Sequence, residues 1–186
     1  MAMRRAAAYS KKHVVPYTRS SKKKQRAYVK AVPPSKVVKY YMGNVKGNDA
    51  GKFPYILTLI TSHDVQIRQN AIEACRQFIH KKLGEELKEQ YYFRIIPVTH
   101  HIQRENKMLT GAGADRMQKG MQLSFGKPIA KAAIIKNRGR ILSVSVATPK
   151  AASFARHVLK QIRSKLPCKT KILSEDLSRK QKVVAE

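Results

Sequence analysis

Tryptophan is missing from these 186 residues, and acidic side chains are few: 11 Asp and Glu face 39 Lys and Arg, a formal net charge of +28. No acid precedes Asp49. Such a bias does not suit a free enzyme, because self-repulsion works against compactness. A polyanionic partner relieves it, and nucleic acid is the commonest. Cysteine occurs only twice, at Cys75 and Cys168. A disulfide does not suit an intracellular basic protein, and the two thiols lack the ligand spacing of a zinc site. No apolar run approaches the roughly 18 residues needed to span a bilayer, so no membrane association is expected. The amino terminus offers Arg4, Arg5 and three alanines before Lys11 and Lys12, which is not a secretory signal. A mitochondrial presequence would fit the lack of acids. The run is nevertheless lysine-rich and carries Tyr9, Tyr17 and Tyr28, which suits RNA contact better.

The positive charge is unevenly spread. Residues 1–50 hold 13 basic side chains and 1 acid, residues 51–99 hold 7 and 5, residues 100–140 hold 9 and 2, and residues 141–186 hold 10 and 3. A nearly neutral stretch therefore lies between strongly basic ones. Hydrophobic residues make up 42% of the chain, enough for a core. The length suits one domain of about 130–150 residues with tails.

Residues 1–35 lack sustained periodicity, and Pro16, Pro33 and Pro34 interrupt regular structure. They read as a basic RNA-binding arm that orders on its partner. The core is expected over residues 36–174, with residues 175–186 a disordered tail. Lys36 to Asn44 reads as a first strand stopped by a glycine-rich turn, and Phe53 to Ser62 as a buried second strand. From Asp64 the period changes. Ile72, Cys75, Ile79 and Leu83 line one face of a helix with Arg68, Arg76 and Lys81 opposite, and Gly84 is placed to close it. Tyr91 to Val98 is a third strand. Ile129 to Lys136 and Ile141 to Val146 read as a hairpin around Asn137-Arg138-Gly139. A second helix starts at Thr148 and Pro149, buries Ala155, Val158 or Leu159, Ile162 and Leu166, and ends at Pro167. Lys169 to Leu173 is a last strand. The succession makes an α+β protein.

The loop from Arg104 to Pro128 holds four of the nine glycines: Gly111, Gly113, Gly120 and Gly126. It also holds Arg104, Lys107, Arg116, Lys119 and Lys127 against only Glu105 and Asp115. Glycine lets backbone approach another surface closely, and Lys and Arg neutralise phosphate. The segment reads as a loop shaped to lie on nucleic acid, although a floppy surface loop has a similar composition.

Sharper chemical readings fail. Five residues separate Gly120 from Gly126, and Pro128 follows Lys127, so this is not a phosphate-binding loop of the Walker type. Gly111-Ala112-Gly113 begins like a dinucleotide fingerprint, but Arg116 stands where the third glycine belongs. His100 and His101 are adjacent and would point to opposite faces of a strand; base stacking, phosphate contact and capping of the strand all remain open. Asp115 beside Arg116 has no second carboxylate or nucleophile, which favours a loop salt bridge over acid–base work. Arg156, Lys160 and Arg163 lie at i, i+4 and i+7 on the second helix, as an RNA contact or as a solvated face. Lys22 to Lys24 with Arg26 fits an RNA arm or a nuclear import patch.

The run HHIQRENKMLTGAGADRMQKGMQLSFGKP, His100 to Pro128, closely resembles the signature of the universal large-subunit ribosomal protein L-sixteen family, called L-ten-e in archaea and eukaryotes. The resemblance extends to Tyr17-Thr18-Arg19, Val32-Pro33, Ser35-Lys36, Met42-Gly43-Asn44, Ile67-Arg68 and Glu73-Ala74, and covers residues 1–175. Arg104 to Lys107 and Thr110-Gly111 look archaeal. The resemblance implies a hammerhead-like mixed sheet with two packing helices, seated on large-subunit rRNA. It implies that the loop points towards the peptidyl-transferase centre, near A- and P-site tRNA, supporting tRNA accommodation and late subunit assembly. Bond formation belongs to the RNA, so no enzyme, cofactor or metal is expected.

The candidate RNA contacts are Arg4, Arg5, Tyr9, Tyr17, Arg19, Lys22, Lys23, Lys24, Arg26, Arg68, His100, Arg104, Asn106, Lys107, Arg116, Lys119 and Lys127, with Gly111, Gly113, Gly120 and Gly126 as loop backbone. Neighbouring large-subunit proteins are expected partners, a homo-oligomer is not, and the location would be the cytoplasmic ribosome. Two departures stand out. Gln122 replaces an arginine common in the family, and Ile129-Ala130-Lys131-Ala132-Ala133 replaces a small, glycine-containing segment. A free basic nucleic-acid binder is the alternative on charge alone, recognisable by equal affinity for duplex DNA and large-subunit RNA. A phosphate-handling enzyme would have to turn over nucleotide.

Overall fold

The computed structural model describes residues 31–105, 111–113, 116 and 126–177. Along the chain come β1 (Tyr41–Gly43), α1 (Val45–Asp49), β2 (Tyr55–Thr61), β3 (Val65–Arg68), α2 (Gln69–Leu87), β4 (Tyr91–Ile95), β5 (His101–Glu105), β6 (Lys127–Ile135), β7 (Arg140–Val146), α3 (Pro149–Gln161) and β8 (Thr170–Asp176). A 3-10 turn, Ile162–Lys165, follows α3. The α+β class stands. The strands, however, do not share one mixed sheet. They form a five-stranded sheet in the order β1-β4-β7-β2-β8 and a three-stranded sheet in the order β3-β6-β5, with every pairing antiparallel.

Alternation builds the larger sheet. In β7, Leu142, Val144 and Val146 share one face, and Ser143 and Ser145 the other. Register then aligns Met42, Phe93, Val144 and Leu57 in a row across four strands, all buried. The apolar stripe of α2 (Ile72, Cys75, Ile79, Leu83) and that of α3 (Ala151, Ala155, Val158, Leu159) belong to the same buried cluster. Each fully buried large apolar side chain contributes about 1.5–3 kcal/mol. The two helices therefore hold the sheet through a shared core.

α3 forms where its cap chemistry places it. The Thr148 hydroxyl accepts from the Ala151 N–H at 3.2 Å, Pro149 opens the helix, and the 3-10 turn ends at Leu166. α2 departs from expectation at both ends. It starts at Gln69 rather than near Asp64, because Val65–Arg68 pairs with β6 as β3. Gly84 lies inside it, and the chain leaves the helix at Lys88, which takes φ 48°. The first strand is also shorter than Lys36 to Asn44. Asn44 caps the short α1 by accepting from the Gly47 N–H at 2.7 Å, which converts the expected glycine-rich turn into helix.

β6 and β7 are not a hairpin, since they pair in different sheets. The turn between them carries the chain from the small sheet to the large one, beside the β2–β3 crossing that runs the other way. Four contacts fasten this corner: Thr61 N–H to Gly139 O (3.0 Å), Arg138 N–H to Thr61 O (3.1 Å), Thr61 hydroxyl to Lys136 O (2.8 Å) and Asn137 N–H to Asp64 Oδ1 (2.7 Å). Asp64 thus serves the corner instead of a helix terminus. At the far edge, β8 continues past Leu173 to Asp176, opposite Tyr55. Among the described residues no helix is long and apolar enough to cross a membrane.

Candidate nucleic-acid interface

The basic loop is mounted on the small sheet. Its outgoing end is β5 and its returning end is β6, so Arg104, Glu105, Lys127 and Pro128 are strand residues rather than loop. Arg104 stands opposite Pro128, and Glu105 opposite Lys127, next to a bulge between Gln103 and Arg104. That irregularity fits a proline, which cannot donate to the ladder. The two ends of the glycine-rich segment are thereby clamped side by side, and β6 is braced on its other edge by β3.

Burial separates the candidate residues. Lys127 and Arg116 are exposed, and Arg104 is half-buried, its guanidinium pKa lowered because burial disfavours the charge. Gly111 and Gly113 both take positive φ, 139° and 77°, and the Arg116 N–H donates to Gly113 O at 3.1 Å, which places Arg116 on a turn built from glycine backbone. Gly126 is half-buried just before β6. His100 is exposed, with Nδ1 3.0 Å from Val98 O, while His101 opens β5 and is buried. Arg68 lies on β3, opposite Ala132, and not on an outward helix face; with 9% of its surface exposed it is a member of the small sheet. Arg4, Arg5, Tyr9, Tyr17, Arg19, Lys22, Lys23, Lys24, Arg26, Asn106, Lys107, Lys119, Gly120 and the Asp115 considered for acid–base work lie outside the described residues. So does Gln122. Ile129 to Ala133, the second departure, is in β6, where Ala130, Ala132 and Ala133 are buried; sheet packing explains their small size.

Sequence reasoning missed Gln103. It sits at the bulge, 3% exposed, and neither its Nε2 nor its Oε1 has a hydrogen-bond partner among the described residues. A buried amide left in this way costs on the order of 1–3 kcal/mol, and no pattern of apolar residues announces it. Also missed was the exposed pair Tyr41 and Arg94, cross-strand neighbours with the guanidinium 5.4 Å from the ring centroid. The alternating β-branched and aromatic residues around them signalled strands, not which two would face each other.

The chemistry open to this surface is electrostatic. Burial raises the Cys75 thiol to about 12 and Cys168 to about 11, so both stay protonated and poorly nucleophilic near neutral pH. Among the described residues no group of three His, Cys, Asp or Glu gathers where a metal ion could be held. What remains is a clamped loop with positive charge at its stem and on its turn.

The sequence model of the family described as Ribosomal protein L16p/L10e matches residues 16–173, from before β1 into β8 and through the whole loop. The chain belongs to that family. The chain is 40% identical over 174 residues to the large ribosomal subunit protein uL16 of Sulfolobus acidocaldarius, covering 92% of this chain and 93% of that one. Identity to the proteins of the same name is 38% in Methanococcus aeolicus (93% and 94% covered) and 39% in Staphylothermus marinus (95% and 96% covered). These L16p/L10e relatives are of archaeal type, as the Arg104 to Lys107 run suggested. The family match spans both sheets, both long helices and the loop.

Proposed function

We propose that the chain is a structural constituent of the large ribosomal subunit, seated on large-subunit rRNA, with the β5–β6 loop directed towards the peptidyl-transferase centre and the A- and P-site tRNAs. Residues 1–35 act as a basic arm that orders on RNA, and neighbouring large-subunit proteins complete the setting. The observation that carries this reading is the clamped loop in a chain of this family. A glycine-rich, basic segment is held at both ends by one ladder, so its tip is presented from a rigid base. In this role Arg104, Asn106, Lys107 and Arg116 anchor the loop against phosphate, and Gly111 and Gly113 allow its backbone to approach closely. The protein helps to accommodate tRNA and to settle RNA late in subunit assembly; it makes and breaks no bonds.

Gradient sedimentation of lysate tests the reading. The chain should travel with large subunits at physiological salt, and recovery in the light soluble fraction would refute it. Lys107→Ala, made in the loop proper, should slow tRNA accommodation or subunit maturation while leaving the unfolding midpoint unchanged. Wild-type translation in that variant would remove the loop's role.

A further inference from the structure

Two long helices cover the same face of the five-stranded sheet, and their outward sides differ in kind. α2 neutralises itself. Arg76 donates to Glu73 from Nε at 2.8 Å and from a terminal nitrogen at 2.6 Å, Lys82 lies 3.6 Å from Glu85, and three acids match three Lys and Arg over Gln69–Leu87. The Arg76 bonds hold the Glu73 carboxyl below its ordinary range. α3 and its 3-10 turn carry Lys150, Arg156, Lys160, Arg163 and Lys165 with no acid at all. The stretch without acids continues from there to Ser174 and adds Lys169 and Lys171. Among the described residues none of these seven cations forms an ion pair. Lys165 instead lies over the Phe78 ring of α2, 5.5 Å from its centroid.

Arg156, Lys160 and Arg163 are exposed, and their spacing puts them on one stripe about 10 Å long. Exposed Ser153, His157, Gln161 and Ser164 flank it. The two hydroxyls donate to Pro149 O and Gln161 O, and Gln161 Nε2 lies 3.0 Å from His157 Nε2, so the polar flank is held within the helix and the three cations are what it presents. Ala155, Val158, Leu159 and Ile162 are buried on the opposite side, which fixes the rotation of the helix and aims the stripe outward. Like charges at i, i+3 and i, i+4 destabilise a helix by a few tenths of a kcal/mol per pair. α2 avoids this with acids at that spacing, and α3 does not. A polyanion would relieve the repulsion. An acidic protein fits less well, because protein interfaces centre on apolar and aromatic side chains and the stripe offers none.

We infer that Arg156, Lys160 and Arg163 form a second RNA-docking surface, separate from the β5–β6 loop, that takes the phosphate backbone of a structured RNA segment. This rests on the ribosomal reading above and deepens it. The full-length chain carrying Arg156→Gln, Lys160→Gln and Arg163→Gln should be compared with one carrying Lys81→Gln, Lys82→Gln and Lys88→Gln, which removes the same charge from the α2 side. Binding to deproteinised large-subunit rRNA is measured across a salt series, with unfolding midpoints as the folding control. The α3 variant should fold normally, bind on the order of a hundredfold more weakly near physiological salt, and lose about two to three from the log–log salt slope. The α2 variant should stay within a few-fold of wild type. Unchanged binding by the α3 variant, or equal weakening of both, overturns the proposal. Failure of the wild-type chain itself to bind that RNA would instead sink the ribosomal reading.

Discussion

At Gly43 the backbone turns with φ 83° and passes so close to β4 that an added Cβ would fall on the Tyr91 carbonyl oxygen. Both the dihedral and the space exclude a side chain, so Gly43→Ala should destabilise the protein by about 2–4 kcal/mol. Urea denaturation reads this directly, and an unmoved midpoint would show that the turn relaxes freely. Cys75 makes a different statement. Its thiol is fully buried between helix and sheet, and burial raises its pKa from 9.0 to about 12. The unfolded chain loses that proton first, so between these values the native state binds more protons. The contribution is present below pH 9 and is lost as pH rises, with a slope of about 1.4 kcal/mol per unit. Unfolding free energy measured above pH 9 should fall less steeply in Cys75→Ala than in wild type, and identical slopes would contradict the assignment. Cys75 was legible as a buried hydrophobe because it lies on the stripe Ile72, Ile79 and Leu83. Gln103 was not, since what buries it is the pairing of β5 with β6.

Elements differ in how locally they are encoded. The start of α3 could be placed to the residue because a Thr hydroxyl and a proline act within one turn of their own position; its end, expected at Pro167, comes at Gln161, where a 3-10 turn takes over. β3 was absorbed into the helix that follows, since Asp64 resembles a helix start and a four-residue strand is too short to show its own period. β5 escaped notice because His101 to Glu105 has one aliphatic residue, Ile102, and its ladder to β6 closes across the whole loop. The expected β6–β7 hairpin had the right turn residues and the wrong partners; the contacts that split it, from Thr61 and Asp64, come from more than seventy residues away. The β5–β6 stem yields a prediction of its own. Replacing residues 107–125 by a flexible Gly-Ser segment of equal length should leave stability within about 1 kcal/mol, because closure cost depends weakly on loop composition. Function in translation should be lost. A large drop in thermal stability would mean that the loop helps to hold the core.

Across the whole molecule the governing quantity is the charge of +28, concentrated away from residues 51–99. The nearly neutral stretch contains α2 with its internal ion pairs, so the excess of basic residues falls in residues 1–50, in residues 100–140 and from α3 onward. If these engage about ten phosphates, affinity for RNA should fall on the order of a thousandfold or more between 50 and 200 mM salt. Stepwise salt washing of isolated subunits checks this, and release independent of salt would show that charge is not what holds the chain in place.

The order of residues alone settled the α+β class, the core stripes of both long helices, the presence of a basic glycine-rich loop and the family. These depend on period, cap chemistry, composition and a long contiguous motif, all of which act over short distances along the chain. Only the tertiary structure decided that the strands divide into two antiparallel sheets, that the loop is clamped between β5 and β6, and that the stripe on α3 stands without a compensating acid among the described residues. Those outcomes are set by pairings between residues far apart in sequence, whose free energy appears only once the chain has closed on itself.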